Sequence, residues 1–336
     1  MPAENISLSL LSIISLISFF VFLLISKYSN KIGNGILLDQ DFNKPQAFHS
    51  LSIPRSGGLA ASLSFLIFFI FYFLLFNEVN FEYVILTFAM FSMGFIEDVK
   101  LNFKPIYRLI LMIIILLIFT IYFSINITSI DLNFLNSWLK NDIFSIIFVL
   151  LCFLFIVNGS NLIDGFNGLL AIHILIINII LLFLNLENNH ENLAIIIASQ
   201  IVILISFLLF NFPKAKIFLG DSGSYLFGSL VALNIIETNN LNPDISSFFF
   251  SILLFYLFFE VFFSFLRKLL SRKSPIKPDR YHLHMLSYLY LEHSQKFKDC
   301  NYLNSILINL AYLSLIVPAL FFKDNGVICR YWFFSL

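Results

Sequence analysis

Ten apolar runs separated by short polar loops leave this chain few ways to fold. Eight of them are long: Ile6–Ile25, Ser62–Phe76, Leu109–Phe123, Ile143–Val157, Ile172–Leu186, Ala194–Phe210, Ser246–Leu266 and Tyr302–Phe322. Most approach or exceed the roughly 20 residues that cross a hydrocarbon core. Two shorter runs, Tyr83–Ile96 and Tyr225–Ile236, bring the total to ten. A spanning segment must satisfy its own backbone hydrogen bonds, so the expected fold is an all-α polytopic transmembrane bundle. Hydrophobic residues make up 59% of the 336 and charged residues 12%, about half the charged share of a soluble domain. The 44 Phe fit lipid-facing helix surfaces. Ile6–Ile25 has no basic residues before it and no small-residue cleavage site, so it reads as a retained first helix and not a signal peptide.

Alternation through ten spans sorts the loops onto two sides. One side collects all of the 20 basic residues except Lys140, Lys323 and Arg330. The positive-inside rule makes that side cytoplasmic and puts both termini on the other. The largest segments there are Ser26–Ser56 and Arg267–Asn301, too short for a soluble domain, and no fixed-period repeat occurs. The whole of 1–336 therefore reads as one integral membrane domain. A net charge of zero gives no reason to expect a nucleic acid partner. Cys152, Cys300 and Cys329 have neither disulfide-framework nor metal spacing.

The polar exceptions to the apolar pattern share that basic side. Pro54-Arg55-Ser56-Gly57-Gly58 offers free amides and close backbone approach at a helix start, features that suit phosphate, although a plain helix-entry turn has the same look. Glu97-Asp98 ends a membrane helix and is followed by Lys104 and Arg108; two carboxylates there need solvent, a partner or a cation. Asn158-Gly159-Ser160-Asn161-Leu162-Ile163-Asp164-Gly165-Phe166-Asn167-Gly168 puts amides, a carboxylate and glycines between two greasy helices, which lipid packing does not require. Such groups read a nucleobase or sugar hydroxyls. Phe218-Leu219-Gly220-Asp221-Ser222-Gly223 holds an acid that serves equally as a helix N-cap. Its order is not that of a serine-hydrolase elbow. Ser274–His284 is a Pro-stiffened loop ending in Arg280-Tyr281-His282-Leu283-His284; without a third ligand nearby, phosphate contact suits it better than zinc. Glu260 is an intramembrane carboxylate, and His173 reads as a packing histidine.

Taken in order, these five segments resemble the polyprenyl-phosphate N-acetylhexosamine-1-phosphate transferases of bacterial envelope synthesis (glycosyltransferase family 4 type). The resemblance spans about residues 49–286. The chain departs at Glu97, where Asp is usual, at Asn167, where a second Asp is usual, and at Met285, where a further His often stands. These variants resemble a surface-polysaccharide branch more than the peptidoglycan enzyme. The resemblance implies that a UDP-amino sugar meets a polyprenyl (undecaprenyl) phosphate at the cytoplasmic face of the inner membrane. UMP leaves and a lipid-linked sugar diphosphate forms. It further implies Mg²⁺ (or Mn²⁺) on Asp221 and Asp98, with Asp98 holding or deprotonating the lipid phosphate and Glu97 in support. Asn161, Asp164 and Asn167 would read the uridine or sugar, Phe218 would stack on the base, and Arg55, Lys104, Arg108, Arg280, His282 and His284 would bind phosphates. A homodimer is left open. The competing expectations are a transporter using intramembrane carboxylates, a CDP-alcohol phosphatidyltransferase, disfavoured because Asp164-Gly165 lacks the Ala-Arg that should follow, and a non-catalytic lipid-binding homologue.

Overall fold

A computed structural model describes residues 3–29, 31, 35–40, 52–101, 104–272, 274 and 280–336, with backbone only for 3–6. Pro275–Asp279 of the fifth polar segment lie outside the described residues. In chain order the elements are α1 (Ala3–Tyr28), β1 (Leu38–Asp39), β2 (Ile53–Pro54), α2 (Gly57–Phe76), α3 (Phe81–Asp98), α4 (Pro105–Tyr122), α5 (Asn133–Leu139), α6 (Asp142–Ile163), α7 (Leu169–Glu187), α8 (Glu191–Asn211), α9 (Gly220–Leu241), α10 (Ser247–Leu253), α11 (Phe255–Leu270), α12 (Leu283–His293), α13 (Cys300–Leu320) and α14 (Gly326–Ser335). Local chemistry sets several starts. Pro105 opens α4, where its missing N–H costs no hydrogen bond. Asn141 caps α6 by accepting from the Phe144 amide, and Asn325 caps α14 by accepting from Ile328.

All ten apolar runs coincide with helices, but not all are equally lipophilic. Among the described residues, α1, α2, α4, α6, α7, α8 and α13 are long and apolar enough to cross a membrane. The run Ser246–Leu266 is not one straight span: it breaks at Leu254, where α10 and α11 meet at 70°, and counts as an eighth span only as a bent pair. Helices α3 and α9 have the length, 18 and 22 residues, but not the lipophilicity. The reason for α9 is its position. Helices α2, α3, α6 and α7 pack around it, and its side chains are buried for nearly its whole length. Neighbouring helices, not lipid, therefore select its Gly, Ser and Asn.

Small residues and amides hold this packing, as expected where apolar side chains gain little by leaving lipid. A Cβ on Gly94 of α3 would stand 2.3 Å from the Asp221 carbonyl oxygen, and one on Gly58 of α2 2.4 Å from the Gly223 nitrogen. In mid-bundle, Asn178, Gln200 and Asn234 close a ring of side-chain hydrogen bonds at 2.8–3.2 Å, tying α7, α8 and α9 together.

The loops meet in two groups, one at each end of the bundle. At one end Thr128 donates to Asn240, the His190 ring lies 3.2 Å from the Leu241 carbonyl, and Lys323 reaches Glu187. At the other end Gly57 donates to Phe218, Gly168 to Asn211, and Asn304 to the His284 carbonyl. The segment after Lys323 forms α14 against α10, with Phe333 5.9 Å from Phe248 and the Trp332 indole donating to the Leu315 carbonyl at 3.0 Å.

Gly94→Ala tests the packing. Its methyl meets backbone that no rotamer change can clear, and overpacking of this kind costs about 1–3 kcal/mol. The expected result is a lower melting temperature in detergent. Gly165→Ala is the control: its added Cβ has no neighbour closer than 3.9 Å, and it should melt with the parent.

Candidate active site

The polar segments converge on the N-terminus of α9. Gly220 opens the helix with φ +78°, a conformation L side chains rarely adopt, and a Cβ there would stand 2.7 Å from the Asp98 carboxylate oxygens. Asp98, at the end of α3, is 1% exposed. Its Oδ1 accepts from the Asp221 amide at 3.0 Å and its Oδ2 from the Ser222 amide at 2.9 Å. One carboxylate thus satisfies two of the first free amides of α9 and complements its positive end. Asp98 is bound up in organising the helix start. That sets it apart from Asp221, although both stand as expected metal ligands.

Asp221, like Glu97, is only partly buried. Its side chain is 21% exposed. Its Oδ1 accepts from Asn161 Nδ2 at 3.1 Å, and its Oδ2 lies 3.6 Å from Arg108 Nη1. The same guanidinium nitrogen is 3.8 Å from Glu97 Oε2. Asp164 follows the last residue of α6, where the Gly220 amide hydrogen-bonds to it. Burial and then the nearby Asp221 carboxylate push its pKa up to about 8.

Arg55 faces this acidic cluster from the α2 side. The β1–β2 pair places it: Leu38 pairs with Pro54, and the Arg55 amide donates to Leu37. Its guanidinium grips Asp39 Oδ2 through Nε at 3.0 Å and Nη2 at 2.7 Å. Burial opposes its charge, but Asp221, Asp39 and Asp98 outweigh that and raise its pKa. Asp39 and the short hairpin gave no sequence signal: two-residue strands carry no periodicity, and the partners lie 16 residues apart.

A second cluster involves α11 and α12. Glu260 Oε2 lies 2.9 Å from His282 Nδ1, and Oε1 lies 3.1 Å from His284 Nδ1 while accepting from the Leu283 amide at 3.0 Å. The Tyr256 hydroxyl is 3.4 Å from the same His284 nitrogen. Both rings are buried. Burial lowers the His284 pKa, with Glu260 working against it. His284 was expected to bind phosphate; its ring lies buried against Glu260.

The remaining expected site residues are less engaged. Lys104 is exposed and precedes Arg108 by one turn. Arg280 is exposed. Phe218 is half-buried, its amide donating to Pro54 and its carbonyl accepting from Gly57. Asn167 serves the scaffold: its Nδ2 donates to the Pro213 carbonyl and its amide to Asn301. The expected packing role of His173 fits its surroundings, with Nδ1 3.3 Å from Asn309 Oδ1 and the ring 4.0 Å from that of Tyr312.

Among the described residues no group of three or more His, Cys, Asp or Glu could hold a metal ion on its own. Mg²⁺ commonly takes one or two carboxylates and completes its shell with substrate phosphates and water. The hard, half-exposed oxygens of Asp221 fit that donor set.

Carboxylates, guanidiniums and a helix N-terminus at one end of a bundle suit chemistry on a phosphorylated substrate, and comparison with known proteins agrees. A family model described as glycosyl transferase family 4 matches residues 81–239, which hold Glu97, Asp98, Asp164 and Asp221. An undecaprenyl-phosphate alpha-N-acetylglucosaminyl 1-phosphate transferase of Thermotoga maritima is 28% identical over 270 residues, covering 80% of this chain and 78% of that protein. Two phospho-N-acetylmuramoyl-pentapeptide-transferases are also similar. That of Dictyoglomus turgidum is 33% identical, covering 66% of this chain and 73% of its own. That of Dictyoglomus thermophilum is 32% identical, covering 76% and 83%. Identity at this level along most of these proteins, together with the family model over residues 81–239, means that this chain belongs to glycosyl transferase family 4.

Proposed function

We propose that this protein transfers an N-acetylated amino-sugar-1-phosphate from a UDP-sugar to polyprenyl phosphate, releasing UMP, at the cytoplasmic face of a bacterial inner membrane. The observation that carries the reading is the meeting of Asp98, Asp164, Asp221, Arg55 and Arg108 at the start of α9. The lipid phosphate attacks the sugar-linked phosphorus and UMP departs. A phosphate is largely ionised at neutral pH, so positioning and charge neutralisation carry most of the task.

Arg55 and Arg108 neutralise phosphate oxygens from two sides of Asp221, and Lys104 and Arg280 extend the positive field toward solvent. Asn161 orients the Asp221 carboxylate. Asp98 keeps the α9 amides in place, and Asp164, with its raised pKa, meets a sugar or uridine polar group. Mg²⁺ held by Asp221, with the Asp98 oxygens behind it, would neutralise the diphosphate. Glu97, Asn167 and the Thermotoga relative support a surface-polysaccharide branch. Against a transporter, the ionisable cluster lies at one end of the bundle, while the mid-bundle network of Asn178, Gln200 and Asn234 is neutral.

Membranes carrying the protein, given polyprenyl phosphate and UDP-GlcNAc, should release UMP in a Mg²⁺-dependent way. A donor panel with UDP-GalNAc and 6-deoxy amino sugars identifies the sugar. Asp221→Asn should lower the rate by about 100-fold with little change in melting temperature. Full activity in that variant would remove Asp221 from the metal role.

Asp98→Asn should behave differently. Its amide nitrogen turns a donor toward an α9 N–H, leaving a buried donor unsatisfied at a cost of about 1–3 kcal/mol. Both activity and melting temperature should fall.

Orientation is tested in a cysteine-free background. Lys104→Cys should react with an impermeant maleimide in inverted vesicles, and Lys140→Cys only in right-side-out ones. The reverse pattern would overturn the cytoplasmic assignment.

A further inference from the structure

Glu260 sits inside the bent span, on a face of α11 that turns inward with Ser264 and Lys268 while Phe262, Phe263 and Phe265 face outward. It touches none of the α9 carboxylates. Instead it joins two rings: His282 Nδ1 at 2.9 Å and His284 Nδ1 at 3.1 Å, the rings 5.5 Å apart and only 17° from parallel. An ionised carboxylate accepts hydrogen bonds and donates none. Each Nδ1 facing it must therefore carry the hydrogen, which leaves Nε2 of a neutral ring as a lone pair. His284 Nε2 is fully buried, has no hydrogen-bond partner among the described residues and lies 3.9 Å from where a Gly165 Cβ would stand. It lies beside the Asp164 loop, at a glycine with room next to it.

We propose that Glu260 is a positioning residue that fixes both histidines in the Nδ1–H tautomer, so that His284 presents an Nε2 acceptor across Gly165 to a hydrogen-donating group of the sugar nucleotide, a hydroxyl or acetamido N–H. This rests on the transferase reading for the identity of the ligand, but not for the clamp itself. Carboxylate–histidine pairs elsewhere fix tautomer and ring orientation in the same manner. The 70° break at Leu254 is what brings α11 and its Glu260 against the His282–His284 segment.

The test uses the full-length protein in liposomes, labelled with ¹⁵N-histidine. Solid-state spectra, assigned with His282→Gln and His284→Gln variants, should show protonated Nδ1 and bare Nε2 on both rings at neutral pH. In Glu260→Gln the side chain keeps its shape, but its NH₂ must donate to one ring, which should switch to Nε2–H: His282 where the Gln oxygen stays on the Leu283 amide and His284, and His284 where the amide is turned. UMP release should fall by about 10- to 100-fold where His284 is the ring that switches and stay near the parent rate where it is His282, while the melting temperature holds. Glu260→Asp, with both acceptors kept, should recover part of the loss. Gly165→Ala, whose methyl would stand 3.9 Å from Nε2 in the space a ligand group needs, should raise KM for the UDP-sugar more than it lowers kcat. The clamp is overturned if the parent rings carry hydrogen on Nε2. The functional role is overturned if His284 switches tautomer in Glu260→Gln yet the rate holds, or if the rate is lost while His284 keeps its Nδ1–H. Should the parent release UMP from no donor, the transferase reading fails while the spectra still decide the clamp.

Discussion

Two hydrogen bonds from the Asp98 carboxylate to the first amides of α9 set the geometry on which the rest of the site depends. They join the end of one membrane helix to the start of another. Bonds of 2.9–3.0 Å between a side chain and a backbone require the helices to approach closely. Gly94, Gly58 and Gly220 make that approach feasible, since a Cβ on any of them would overlap backbone or the carboxylate itself. With the α9 amides already occupied by protein, Asp221 on the same turn is left to face outward. The carboxylate that organises and the carboxylate that remains available are thus neighbours with opposite burial.

The bilayer explains why the charges gather where they do. Ionised groups in hydrocarbon are costly unless paired or solvated. The structure keeps Glu97, Asp164, Asp221, Arg55 and Arg108 at helix ends and builds its mid-bundle contacts from neutral amides. Glu260 is the exception, on a helix that also passes for part of a span. The break at Leu254 turns α11 so that its polar stripe is covered by protein and its Phe side chains are not. A straight helix over Ser246–Leu266 would have no such reason to place one carboxylate between two histidines.

The all-α polytopic fold, the order of its apolar helices and the segments that build the site were legible in the sequence because lipid enforces long apolar runs and the site interrupts them. The two weakest runs, Tyr83–Ile96 and Tyr225–Ile236, were weak for a physical reason: the second belongs to a helix surrounded by protein, where the hydropathy signal of a lipid-facing helix is not enforced. Other features depended on tertiary contact alone. Asp39 gave no local pattern to mark it as the partner of Arg55. Glu260 stood out as an intramembrane acid, but its histidines lie 22 and 24 residues onward, beyond any helical spacing. Asn167 looked like a reader of substrate because amides bind nucleobases, and the same chemistry lets it pin one loop to another.

That last distinction separates the polar residues of the site by task. The amides of Asn167, Asn211, Asn301 and Asn304 are spent on backbone groups of neighbouring loops. They fix the α6–α7 turn against the α8–α9 loop and the start of α13 without adding charge. An amide can both donate and accept, so it is well suited to join backbone segments whose free groups are of either kind. The charged side chains are then free to hold their positions through one another. Arg108 stands between Glu97 and Asp221, and Arg55 between Asp39 and the α9 acids. Pairs of this kind, half-exposed and longer than a close ion pair in the case of Arg108, can exchange partners with an incoming phosphate and cation at little cost. A neutral frame holding a partly exposed charge cluster suits a helix end where an amino-sugar-1-phosphate is transferred to a membrane-bound phosphate.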